Sequence, residues 1–150
     1  MNCDLLIIGA GMAGMTAAAR ASHLGLKTIQ VGSSAGLLFN SGMMDILGVY
    51  PVEESKVLAS PDHGLDRLRN DLPGHPYAKV NNDTIKKSLK FVQKFLSLAG
   101  PIYDMQKDHN VMVLTSAGTF NPSYLIPQTF GKGQYLFSDA PKLLITDFKG

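Results

Sequence analysis

The 150-residue sequence has one cysteine, Cys3, and no tryptophan. A single thiol excludes a disulfide framework and a cysteine-based metal site within the chain. Cys3 stands beside the first apolar run, where it is expected to pack as a small apolar side chain with no redox part. Such sparing cysteine use fits a reducing cytoplasm. No apolar run approaches the length of a membrane-spanning helix. The N-terminus lacks a basic stretch ahead of an apolar core, so no signal peptide is expected. Charge is scarce as well: 17% of residues are charged and the net charge is +2, too little to imply a nucleic-acid partner. Hydrophobic residues make up 45%, as in a globular chain with a core.

What is present is concentrated near the start. Asp4 to Ile8 is a mostly apolar run of the kind that makes a buried parallel strand. Gly9, Gly11 and Gly14 follow at G-x-G-x-x-G spacing, with Ala10, Met12 and Ala13 between them. An Ala-rich helix begins at Met15, and a second strand is expected over Lys27-Thr-Ile-Gln-Val31. Each glycine has its own task. Gly9 permits the strand-to-helix turn, Gly11 lets a pyrophosphate approach the backbone, and Gly14 lets helix and strand pack closely. The helix start adds free N–H groups and partial positive charge. Strand, turn, helix and second strand give the motif the context it needs to indicate a dinucleotide or flavin.

One expected part is absent. A carboxylate normally ends the second strand and holds the adenosine ribose. Here Gly32, Ser33 and Ser34 occupy that place. An NAD site is disfavoured, FAD and a mononucleotide both stay open, and no arginine supports NADP. Backbone and hydroxyl groups at Gly32, Ser33 and Ser34 are the candidates for a neutral contact.

Residues 33–82 are rich in Gly, Ser, Pro, Asn and Asp and are expected to be mainly loop, with a helical turn or two at Met43 to Leu47. Ser41 and Gly42 are candidate donors to a phosphate or flavin. Residues 83–99 form an amphipathic helix, with Asn82 or Asp83 as cap and Ile85, Leu89, Val92 and Leu96 on its apolar face. Phe91 and Phe95 widen that face, and Lys86, Lys90 and Lys94 line a solvated one. Gly100 and Pro101 end the helix. Strands are expected at Val111 to Thr115, Gln134 to Phe137 and Lys142 to Phe148, with turns at Ser116 to Thr119 and at Asn121-Pro122.

Three segments, in order, resemble one family: the B subunit of the anaerobic glycerol-3-phosphate dehydrogenase. The first is Asp4-Leu-Leu-Ile-Ile-Gly-Ala-Gly-Met-Ala-Gly14, shared with many flavoproteins. The second, Phe39-Asn-Ser-Gly-Met-Met-Asp-Ile-Leu-Gly48, resembles the family's Phe-Ser-Ser-Gly-Ser-Leu-Asp-Leu-Leu-Gly. The third, Gly118-Thr-Phe-Asn-Pro-Ser-Tyr-Leu-Ile-Pro127, resembles Gly-Thr-x-x-Pro-Thr-x-Leu-x-Pro. His75-Pro-Tyr77 is a fainter echo. Asn40, Met43 and Met44 depart from the family pattern.

The resemblance implies an α/β fold with a Rossmann-like, doubly wound parallel sheet of the FAD/NAD(P)-binding type, incomplete at its C-terminal end and carrying an added α+β segment. On this view residues 1–48 are the flavin-binding βαβ unit and cofactor loop, 49–82 a linker, and 83–150 a helix and strands of an inserted or substrate-side region. It implies FMN, with FAD as alternative. The implied reaction oxidises sn-glycerol 3-phosphate to dihydroxyacetone phosphate and passes electrons to quinone in anaerobic respiration. The implied partners are a catalytic flavoprotein subunit and an iron-sulfur membrane-anchor subunit, placing the chain at the inner face of the cell membrane. A non-catalytic flavin-binding scaffold is the alternative function. No catalytic residue is assigned: His23 falls on the first helix, and His63, His75 and His109 are expected in loops. No metal site is expected.

Overall fold

The computed structural model describes residues 2–33, 41–98, 100, 102–105, 108–115 and 117–131. The strands expected at Gln134 to Phe137 and Lys142 to Phe148 lie outside them. The chain divides into two compact units, Met1–Met43 with Val80–Tyr103, and Met44–Lys79 with Asp104–Gly150.

The first unit opens with β1 (Leu5–Ile8), α1 (Met12–His23) and β2 (Thr28–Val31). β1 and β2 pair in parallel, Leu5 opposite Thr28 through Ile8 opposite Val31. This is the βαβ arrangement that the run, the glycines and the second run specify. Asp4 pins the start of the ladder: its N–H donates to Lys27 O at 2.8 Å. Its carboxylate accepts from the Lys27 N–H at 2.9 Å. The strands are not buried as expected. Leu6 is 54% and Ile8 83% exposed. Among the described residues this sheet has only two strands. Among those residues no flanking strand adds to the burial a parallel sheet ordinarily has. Cys3 is likewise exposed, so it does not pack as an apolar side chain.

α3 (Asn82–Ser97) belongs to the same unit. Its cap is Asn81, one residue before the expected position, and the Asn81 side chain accepts from the Thr84 N–H at 2.8 Å. Val92 is buried on the apolar face. The Phe91 ring meets the His23 ring edge-on at 5.6 Å.

The second unit contains α2 (Pro61–Asp71), whose polar composition and internal glycine resemble those of a loop. Ser60 precedes it, Pro61 fits its first turn, and Leu65 and Leu68 are almost wholly buried. A 3-10 turn covers Pro76–Lys79. β3 (Tyr103–Met105) spans the boundary between the two units. β4 (Val111–Leu114) pairs antiparallel with β5 (Phe120–Ser123), from Val111 opposite Ser123 to Leu114 opposite Phe120. β5 falls where the sequence indicated a turn at Asn121-Pro122. Pro122 is tolerated because β4 is the only strand hydrogen-bonded to β5 among the described residues, so one side of β5 needs no ladder donor. β6 (Leu125–Pro127) and a short helical turn, α4 (Gln128–Gly131), follow. Tyr124, Leu125, Ile126 and Leu65 are the largest fully buried side chains of this unit. Met43 to Leu47 is not helical: Met44 instead forms a single antiparallel bridge with Leu125.

Candidate functional site

The turn between β1 and α1 is built from backbone. Gly9 extends the parallel ladder, its N–H donating to Val31 O at 2.7 Å. Its φ of +123° is a conformation that side chains rarely accept. The Gly9 carbonyl accepts from Gln30 Nε2 at 2.8 Å, tying the turn to β2. A Cβ on Gly14 would strike the Gly9 carbonyl oxygen and approach Gln30 Nε2 to 3.3 Å. That is the close helix–strand packing the third glycine permits.

Gly11 is different. A Cβ there would meet nothing within 4 Å. Gly11 caps α1 in an extended conformation, without a side-chain hydrogen bond, and the first turn holds no acidic residue. Its carbonyl accepts the first helical bond, from the Met15 N–H at 2.9 Å. The N–H groups of Met12, Ala13 and Gly14 precede that bond and have no intrahelical partner. Open space over Gly11, unclaimed donors and a positive helix end fit a phosphate group of a flavin or dinucleotide.

Gly32 gives a second reason for the missing carboxylate. A Cβ there would lie 2.7 Å from both the Ala10 Cβ and the Ala10 backbone nitrogen. The position has no room for any side chain. Ala10 and Gly32 thus meet, and Ser33 follows, exposed. Ser34 lies outside the described residues. The Ser41 hydroxyl is engaged within its own loop, accepting from the Met43 N–H at 3.2 Å. Gly42 has a φ of +79°, which suits glycine at that bend. The structure therefore joins Gly9, Ala10, Gly14 and Gly32 by contact and leaves Gly11 facing open space. The Ser41 side chain is committed locally.

A second assembly has no local signature in the sequence. In the second unit the Asp45 carboxylate accepts from Asn121 Nδ2 at 2.9 Å. The Met44 N–H donates to Leu125 O at 2.9 Å and the Met44 carbonyl accepts from the Leu125 N–H at 3.0 Å. A Cβ on Gly48 would come within 2.5 Å of Pro122 Cγ. The two more specific segments of the resemblance are thus fastened together. Asn110 straps the assembly, its Nδ2 donating at 2.9 Å to Leu47 O and also at 2.9 Å to Leu58 O. The Tyr77 hydroxyl is raised above its ordinary pKa by burial and then by the charge of Asp45. The motifs themselves were visible in the sequence, but nothing local indicated that they touch.

His23 lies on α1, as expected. His63 lies on α2 and not in a loop. His75 Nδ1 accepts from the Tyr77 N–H at 3.1 Å. Among the described residues no group of His, Cys, Asp or Glu is arranged to hold a metal.

A glycine turn between strand and helix of a parallel βαβ unit is the arrangement of nucleotide- and flavin-binding proteins, and comparison with known proteins gives the family. A family model described as an FAD binding domain matches residues 4–149, and the chain belongs to that family. It is 35% identical over 127 residues, 83% of its length, to the anaerobic glycerol-3-phosphate dehydrogenase B subunit of Aliivibrio fischeri (strain ATCC 700601 / ES114), covering 28% of that protein. It is 31% identical over 150 residues, 99% of its length, to the probable anaerobic glycerol-3-phosphate dehydrogenase B subunit of Halobacterium salinarum, covering 33% of it. The chain thus spans about a third or less of these relatives. No solved structure matches. The family supports a flavin, FAD most directly, and gives FMN no specific support. No described helix is long and apolar enough to cross a membrane.

Proposed function

We propose that this chain carries the flavin-phosphate-binding part of a flavin-dependent dehydrogenase of sn-glycerol 3-phosphate. The observation that carries the reading is the turn at Gly9 to Gly14, with open space at Gly11 and unclaimed N–H groups at Met12, Ala13 and Gly14. Bound flavin supplies hydride acceptance. The chain's own residues bind and orient its phosphate: the first turn of α1 donates, and Gly9 and Gly32 keep the turn clear. The names of the relatives motivate the substrate, and their designation as subunits motivates partner proteins. Reduction of a quinone through an iron-sulfur membrane-anchor subunit, and a place at the inner membrane face, belong to the same proposal.

FMN is a second reading. Gly32 abuts Ala10, so no carboxylate for an adenosine ribose fits there. FMN has no such ribose and loses nothing by this. The test is purification of the chain with its flavin, acid release and chromatography. Recovery of FAD or FMN decides between the two, and a colourless protein that takes up neither refutes flavin binding.

A further inference from the structure

The hairpin of β4 and β5 turns one face to the core and leaves the other to solvent. Directly opposed residues share a face, and the faces alternate along each strand. On the inner face Val113 is 4% exposed, and Ser123, opposite Val111, is fully buried. The outer face carries Met112 and Leu114, each 40% exposed, and Phe120, opposite Leu114 and 48% exposed. Pro122, opposite Met112, lies against Gly48.

The main chain alternates as well, since antiparallel strands exchange hydrogen bonds at every second pair. The Thr115 N–H donates to Thr119 O at 2.8 Å, so that pair is a bonded one. Leu114 with Phe120, and Met112 with Pro122, are then pairs that exchange none. The N–H and C=O groups of Met112 and Leu114 therefore point away from β5. Among the described residues β5 is the only strand hydrogen-bonded to β4. The two edges of the hairpin differ. Pro122 blunts the outer edge of β5 by its missing N–H, whereas Val111-Met-Val-Leu114 has neither proline nor charge. An edge of the latter kind accepts a further strand.

This edge is its own complement. Two copies of β4 related by a twofold axis at Val113 run antiparallel. Met112 of each copy then faces Leu114 of the other, and each such pair exchanges both of its main-chain bonds. Their side chains extend the outer face as a continuous apolar row, with no like charges opposed. A register shifted towards Asn110 loses bonds, because the Asn110 N–H is spent on Ala59 O at 2.7 Å. A shift the other way sets Met112 opposite the turn after Thr115. So short an edge buries less than the about 1,200 Å² of a stable complex, and the association is correspondingly weak.

We propose that β4 pairs with β4 of a second copy through Met112 and Leu114, joining the two hairpins into one sheet in a weak, reversible dimer. The inference does not depend on the flavin reading.

The test is sedimentation velocity of the 150-residue chain from micromolar to millimolar concentration, with amide exchange followed by NMR at both ends of that range. Reversible dimerisation is expected, and the Met112 and Leu114 amides should exchange several times more slowly at the high end. Met112→Pro removes one outward donor per copy and keeps the bonds between β4 and β5, as Pro122 does. Leu114→Lys sets a charge at the junction. Each should weaken dimerisation at least about tenfold. Leu114→Lys alters an exposed side chain and decides the matter if Met112→Pro does not fold. Ile8→Lys should change nothing, although Ile8 is the more exposed apolar residue. The proposal is overturned by a chain that stays monomeric throughout, by dimerisation indifferent to Leu114→Lys, or by an equal loss in Ile8→Lys, which would place the contact on the first sheet. It is also overturned if the Met112 and Leu114 amides are already protected in the dilute monomer, which would show that a segment of the same chain occupies the edge.

Discussion

A methyl group on Gly14 would run into the Gly9 carbonyl, whereas one on Gly11 would point into open space. The two glycines should therefore fail differently. Gly11→Val is expected to abolish flavin retention while leaving the circular dichroism spectrum unchanged. Gly14→Ala should lower stability by about 1–3 kcal/mol, the cost of forcing atoms into a packed site, measured by urea unfolding. A Gly11→Val protein with full flavin content would remove the phosphate-cradle argument. The turn at Gly9 and the close packing at Gly14 were legible because G-x-G-x-x-G spacing fixes them locally. The crowding at Gly32 was not: the missing carboxylate suggested ligand chemistry, and the structure adds that Ala10 leaves no room there for a side chain. Tyrosine ionisation gives a further expectation. Burial raises the pKa of Tyr103, and burial followed by Asp45 raises that of Tyr77. A raised folded-state pKa gives stability present below the unfolded tyrosine value, about 10, and lost as pH rises through the folded one. Stability should thus fall above about pH 10, and Tyr77→Phe should lessen that fall in unfolding curves taken across alkaline pH.

At the scale of elements, legibility followed periodicity. α3 announces itself by apolar residues at helical spacing and an asparagine cap. Asn81→Ala should cost about 1 kcal/mol, read from thermal unfolding. α2 is mostly polar and contains Gly64, whose missing side chain makes room for Leu58 and Leu47. That fit is tertiary, so local propensity pointed to loop. β5 was hidden by Pro122. Asn110, between elements, carries more than its surroundings suggest. Asn110→Ala would leave the Leu47 and Leu58 carbonyls without their donor, at a cost of about 1–3 kcal/mol for two half-buried bonds. Unfolding by urea checks this, and a change under about 0.5 kcal/mol, the lower bound for a single net hydrogen bond, would show that the strap does not hold the segment.

For the whole molecule, the relevant fact is that the chain spans about a third or less of its relatives' length. A ligand as large as a flavin is normally mostly buried, and Leu6, Ile8 and Val31 around the turn are open. We expect the 150-residue chain with added FAD or FMN to show no oxidation of sn-glycerol 3-phosphate by an artificial acceptor. Turnover by this chain alone would show that it needs no further segment or partner.

The interleaving of the two units sets a timetable for synthesis. The chain leaves the first unit at Met43 and rejoins it at Val80. A nascent chain therefore exposes β1, the glycine turn and β2 well before α3 emerges to cover the outer side of α1. Until then the outer side of α1 is unshielded. Lengthening the excursion between Met43 and Val80 would add little closure entropy, but would prolong that exposure.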